Sequence, residues 1–350
     1  MAAKKEDYSE GLTVLKDALK AKNPDALYVF CGEEDYLKSY YLEQLRKLIL
    51  EGPAEEFNYH RFNSENMDLN SFQDAVEALP MMAERTFVLV DDYDMFKANE
   101  ADRGRLIEIL SDIPDYCCVV FYYHTVAFHP DKRLKKLYEA LMKHATVVGF
   151  VKQSGRELSA WVRRHFMRRK KDIDDRLCQY LIFITGGTMT ALASEIEKIC
   201  SYAESDIIRQ TDIDAVVEPV LEAAAFDIGD AISAGDYIKA MEKVHTRLKM
   251  QEDPIKILGA IGYQMRLLRI AKMLSANQMG VEAVRKLAGL NNDYPARKAL
   301  SSVKNISQTF CDKAVILCAE TDYQMKTSFD DGERLLDLLI LRLSEEAAHA

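Results

Sequence analysis

Apolar runs alternate with amphipathic helical stretches through the first 150 residues, and beyond Val151 no strand-like run follows. The runs are Leu27–Phe30, Phe57–Phe62, Thr86–Val90, Cys117–Tyr123 and Thr146–Phe150. Helical patterns lie between them around Tyr36–Leu50, Leu69–Ala78, Asp102–Leu110 and Arg133–His144. A short continuous apolar run reads as a strand buried on both faces. Such strands joined by helices make a parallel sheet covered by helices on both sides. The expected fold is α/β in the first part and all-α after it.

The first run leads into Gly32-Glu33-Glu34-Asp35-Tyr36-Leu37-Lys38-Ser39 and then into a helix. Against the phosphate-loop pattern G-x-x-x-x-G-K-[ST], Gly32, Lys38 and Ser39 match, while Leu37 stands where the second glycine belongs. That glycine lets backbone N–H groups close around phosphate oxygens, and a γ-branched Leu opposes the conformation. Glu33, Glu34 and Asp35 also place negative charge where a triphosphate would lie, and they suit the positive end of the following helix. The loop is degenerate, with no nucleotide or other cofactor expected. A second strand, Thr86–Val90, ends in Asp91-Asp92, the position from which nucleotide hydrolases hold Mg²⁺. The ordinary alternative, a polar turn continuing through Asp94, is the one expected, because Mg²⁺ there needs substrate phosphates beside it. No metal site is expected.

At 350 residues the chain exceeds one ordinary core. Three parts are expected: 1–150, α/β; 151–218, a small helical unit; and 219–350, an all-helical domain. In the second part Thr185-Gly186-Gly187-Thr188 breaks the helical pattern, and Thr188 or Thr190 is placed to cap the next helix. In the third, breaks fall at Gly235-Asp236, Asp253-Pro254, 289–295 and 329–332. Its last helix is apolar on nearly every side (Leu335, Leu336, Leu338, Leu339, Ile340, Leu341, Leu343). That pattern fits either an interior bundle helix or a seam against other subunits; the seam is favoured, because the earlier helix with Ile257, Leu258, Ile261, Met265 and Leu268 already carries its own stripe.

Seven cysteines without C-x-x-C spacing read as reduced core residues of a cytoplasmic protein. The first seven residues lack the apolar core of a secretory signal, and the uncharged stretch 177–194 holds Gly186-Gly187 and several Thr, unlike a membrane span. A net charge of −10 argues against wrapping nucleic acid unaided. The basic run Arg163 to Lys171 is weighed as a phosphate-contacting patch or as a solvated helix end balanced by Asp172, Asp174 and Asp175; the second is favoured. His124 and His129 flank the loop after the fourth run without a catalytic partner by spacing, and read as structural.

In its order of motifs the chain resembles the delta subunits of the bacterial DNA polymerase III clamp loader. The resemblance spans essentially the whole chain. It rests on the strand and loop from Leu27 to Leu37, on Ala78-Leu79-Pro80-Met81-Met82-Ala83-Glu84-Arg85 before the third strand, and on 131–138. Further pieces are Gly186-Gly187 followed by Glu195-Ile196-Glu197-Lys198, then 226–232, Pro254 and Tyr323-Gln324-Met325-Lys326. The resemblance implies a RecA-like AAA+ module, a helical lid and a helical collar. It also implies a subunit that binds and opens the sliding clamp (the beta subunit) without hydrolysing ATP, and that assembles with other loader subunits on primer-template DNA. No catalysis by the chain itself is expected, though it would belong to a DNA polymerase holoenzyme.

The resemblance places the clamp-gripping element at Leu79, Pro80, Met81 and Met82, after a helix from about Ser71 to Ala78 that Pro80 stops. Two adjacent thioethers suit an adaptable apolar groove, and burying both would contribute roughly 1.5–3 kcal/mol each before ordering costs. The alternative is that they tuck under the sheet as core. The family's pair commonly includes an aromatic, which is absent from positions 81 and 82. Subunit assembly is assigned to Leu335, Leu336, Leu339, Ile340 and Leu343. No Ser-Arg-Cys motif is present to offer an arginine finger to a neighbour. The competing readings are an active P-loop ATPase such as a helicase loader, an autonomous DNA-binding protein, and a small-molecule enzyme. Leu37 weighs against the first, acidity against the second, and the lack of a nucleophile or acid–base constellation against the third.

Overall fold

The strands β1 (Leu27–Gly32), β2 (Tyr59–Asn63), β3 (Thr86–Asp91), β4 (Cys117–Tyr122) and β5 (Thr146–Phe150) form one sheet in the order β2-β3-β4-β1-β5. Every pairing is parallel. The computed structural model describes residues 8–50, 55–290, 292–328 and 330–348; the N-terminal stretch 1–7 and Phe329, both used above, lie outside them. Successive side chains of a strand point to opposite faces, so the apolar runs feed two cores. Leu27 and Val29 join Val88, Val119 and Phe121 on one face, under Phe72, Leu106 and Leu137. Tyr28 and Phe30 join Phe87, Val120 and Phe150 on the other, with Leu15 and Leu45.

The covering helices are α1 (Ser9–Ala21), α2 (Asp35–Ile49), α3 (Glu55–Asn58), α4 (Leu69–Glu77), α5 (Glu100–Ser111) and α6 (Lys135–His144). The run expected to start a strand at Phe57 instead begins with the single turn α3, and β2 starts at Tyr59. At Gly32, φ is +110°, and an added Cβ would lie 2.3 Å from the Phe150 carbonyl oxygen. Glycine is therefore required there by the close approach of β5, independently of any phosphate.

The chain divides into two compact units, Met1–Lys152 and Gln153–Ala350. The second holds α7 (Gly155–Arg168), α8 (Asp175–Ile184), α9 (Met189–Tyr202), α10 (Gln210–Asp214), α11 (Leu221–Ser233) and α12 (Tyr237–Lys249). These are followed by α13 (Pro254–Ala276), α14 (Val281–Leu287), α15 (Tyr294–Ser302), α16 (Gln308–Thr327) and α17 (Gly332–Ala348). Caps explain several starts. Ser154 and Glu157 close a capping box on α7, Thr188 caps α9, and Asp253 caps α13 with Pro254 in its first turn. Gly186 and Gly187 both have φ above +70° and end α8 as no other residue type readily would. Among the described residues no single helix is long and apolar enough to cross a membrane.

Candidate functional site

The segment after β1 is shorter than a phosphate loop. Helix α2 begins at Asp35, three residues before Lys38, so Tyr36 and Leu37 already have helical backbone. Between strand and helix only Glu33 and Glu34 remain, too few to wrap a phosphate. The helix expected from about Tyr36 starts one residue earlier.

Lys38 itself is fully buried. Its ammonium donates to the Tyr123 carbonyl at 2.8 Å, pairs with Asp35 at 2.8 Å, and lies over the Tyr122 ring. Next to it the Ser39 hydroxyl shares a 3.2 Å hydrogen bond with the Tyr122 hydroxyl. His124 Nδ1 sits 3.3 Å from the same Asp35 carboxylate. Burial alone would raise the Asp35 carboxyl, but Lys38 and His124 outweigh it and hold it below its ordinary value. Partial burial raises the Glu34 carboxyl, and the Asp35 charge adds to that. The lysine that would neutralise a bound phosphate is tied to the protein's own acceptors.

The two acids after β3 are engaged in the same way. Asp91 pairs with Arg61 at 2.6 Å. Asp92, at φ +51°, accepts from the backbone N–H groups of His124, Thr125 and Val126 and from the Thr125 hydroxyl. Burial opposes ionisation of Asp92, and these donors overcome it, so its carboxyl lies below the ordinary value. Its carboxylate is the anion held in the nest of backbone amides of the loop after β4. His124 thus has partners that spacing did not reveal, and its ring stacks on Tyr122. His129 is exposed.

The Leu79–Met82 segment lies at the surface. Helix α4 ends at Glu77, three residues before Pro80, and Leu79, Met81 and Met82 are 75%, 55% and 86% exposed, with Pro80 half-buried. The alternative of two core methionines is therefore excluded. One anchor lies on this segment and two flank it. The Tyr116 hydroxyl donates to the Glu77 carbonyl at the open end of α4. The Asn58 amide donates to the Met81 carbonyl at 2.8 Å and accepts from the Met81 N–H at 2.7 Å. The Arg85 guanidinium donates to the Pro24 carbonyl at 2.7 Å. Asn58 was missed in the sequence, because its partner lies 23 residues away and no local pattern marks the pair.

The five apolar residues assigned to a subunit seam are placed differently. Leu335, Leu336, Leu339, Ile340 and Leu343 are all buried, the last four in the second unit's own core, where α17 packs on α12, α13 and α16. An all-apolar pattern did not distinguish the inner from the outer side; on this helix Leu338 and Leu341 are the large apolar side chains left exposed. In the basic run, Arg163 approaches Asp172 at 3.7 Å and Lys171 donates to the carbonyls of Ala203 and Ser205. Of the expected balancing acids, Asp174 instead caps α8 and Asp175 takes Gln179, while Arg164, Arg168, Arg169 and Lys170 are exposed.

Two family models match this chain: the DNA polymerase III delta subunit over residues 28–151, and the C-terminal domain of the DNA polymerase III delta subunit over residues 222–343. The chain belongs to the DNA polymerase III delta subunit family. It is 24% identical over 331 residues to DNA polymerase III subunit delta of Bacillus subtilis (strain 168), covering 93% of this chain and 95% of that one. It is 23% identical over 337 residues to the probable delta subunit of Aquifex aeolicus (strain VF5), covering 92% of each. The solved Bacillus subtilis DNA clamp loader delta protein shares the fold, with a TM-score of 0.57 and 22% identity over 95% of this chain and 99% of that one. The first family match spans both the Gly32–Ser39 segment and the Leu79–Met82 loop. The parallel α/β unit followed by helices, expected from the sequence, is the fold observed.

Proposed function

We propose that this chain is the clamp-loader subunit that grips and opens the sliding clamp during DNA replication, without hydrolysing ATP. Membership in the delta family gives it a role in clamp loading. The observation that carries the finer reading is the Leu79-Pro80-Met81-Met82 loop, which presents exposed thioethers on a backbone that the Asn58 amide holds at Met81. Its partner is an apolar cleft on the clamp, the beta subunit. A loader opens a closed ring only if it binds the open form better, so the contact energy difference between the two forms does the work. The buried Lys38, paired with Asp35 and bonded to the Tyr123 carbonyl, supports the absence of nucleotide chemistry and weighs against the second reading, an active ATPase serving as a helicase loader.

In this reading residues 151–218 act as a lid and 219–350 as a collar that assembles with other loader subunits in the cytoplasm, on primer-template DNA. The test is surface plasmon resonance on immobilised clamp. Replacing Met81 and Met82 together by Ser should weaken binding by orders of magnitude while circular dichroism stays unchanged. Native-like affinity in the double variant would sink the assignment.

A further inference from the structure

We infer that Asn58 is a positioning residue of the clamp-binding surface and that Phe57, beside it, contributes a contact of its own. The inference rests on the proposed reading of Met81 and Met82. Asn58 is 1% exposed, at the end of the single turn α3. Its planar amide holds both backbone groups of Met81, one as donor and one as acceptor, at 2.8 and 2.7 Å. A bidentate amide of this kind fixes orientation as well as distance, because moving the loop would leave buried polar groups unpaired. It welds the Leu79–Met82 loop to the turn that carries Phe57.

Phe57 is 64% exposed. Single exposed apolar residues need no explanation, but a cluster on joined segments marks a partner's site. Phe57, Leu79, Met81 and Met82, four of the large apolar side chains left exposed in the first unit, lie on the two segments that the Asn58 amide joins. The occupant is the clamp, because Phe57 directly precedes the residue that holds the methionine loop. A rigid aromatic beside flexible thioethers is the kind of side chain that dominates binding at such sites. The segment order also fits: α3 leads directly into the edge strand β2, so Phe57 is carried by the sheet and not by a free loop.

The experiment measures the affinity of the full chain for immobilised cognate clamp. Phe57→Ala should weaken binding roughly tenfold with an unchanged thermal melt, and Phe57→Trp should restore it. Asn58→Ala should weaken binding and release the Met81 amide to hydrogen exchange while the amides of β3 stay protected. Should Asn58→Ala fail to fold, Phe57→Ala decides. Affinity of Phe57→Ala within twofold of the native chain, while Met81→Ser/Met82→Ser abolishes binding, would overturn this inference and leave the main reading standing. Native affinity in the double methionine variant would instead remove the main reading, and this inference with it.

Discussion

The Lys38 ammonium donates to the Tyr123 carbonyl across 2.8 Å, from a side chain wholly inside the protein. A phosphate-loop lysine has to reach outward to its ligand; this one faces the end of β4. The lysine therefore acts as a structural tie between the start of α2 and the strand ends.

Two results follow from that tie. Isothermal titration of the isolated chain with ATP should give no binding at micromolar concentration, and no hydrolysis should be detected. Lys38→Ala should cost about 1–3 kcal/mol in urea unfolding, because it removes the donor from the Tyr123 carbonyl. In a working ATPase the same substitution would remove nucleotide binding and leave stability nearly unchanged. Micromolar ATP binding lost in Lys38→Ala would overturn the structural role.

Asp92 makes a pH-dependent prediction. Its folded-state carboxyl is depressed by Thr125 and by the amides of residues 124–126, against the effect of burial. Its contribution to stability is therefore present above the ordinary carboxylate value, roughly 3.9, and is lost as pH falls through the depressed native value. Asp92→Asn is suited to the test, since Asn tolerates the left-handed backbone at φ +51°. The stability gap between the native chain and this variant should be largest near neutral pH and should close in acid. A gap constant from pH 7 to pH 3 would show that the charge of Asp92 does not matter.

Much of the α/β unit was legible because its signals are local. Runs such as Thr86–Val90 are apolar on both faces, and that alone places them in a covered parallel sheet. The break at Asp253-Pro254 was readable for the same reason, and so was a threonine cap on α9, placed at Thr188 or Thr190 and found at Thr188. What stayed hidden depends on distance in the chain. The Asn58–Met81 pair is separated by 23 residues, and the Lys38–Tyr123 bond by 85. The burial of Leu336 and Leu339 was not legible either, since a helix apolar all round gives no direction to its inner face.

That placement alters how assembly is tested. Asp at Leu336 or Leu339 puts a charge into the core of the second unit and should cost about 4 kcal/mol or more. Loss of loader assembly in such a variant would report unfolding. Leu338→Asp/Leu341→Asp acts on exposed positions and should cost under about 1 kcal/mol. If the outer face of α17 meets a neighbouring subunit, the outer variant should lose assembly in size-exclusion chromatography while its melt stays native. Normal assembly by the outer variant would move the contact to another face of the helices.

Met82 combines strain with exposure. Its φ is +52°, a conformation that disfavours side chains with a Cβ, and its side chain is 86% exposed. Left-handed backbone at a non-glycine residue costs of order 1 kcal/mol, and here no core packing compensates it. In the proposed function the compensation comes from the partner, because the strained backbone turns the thioether outward. Met82→Gly removes the strain and the contact together. The variant should unfold at equal or higher urea concentration, gaining up to about 1 kcal/mol after the added freedom of the unfolded chain is counted, while its affinity for the clamp falls at least tenfold. Opposite signs in the two measurements would separate a binding role from a structural one. If Met82→Gly destabilised the chain and left clamp affinity unchanged, the thioether would belong to the fold, and Met81 with its neighbours would have to carry the grip.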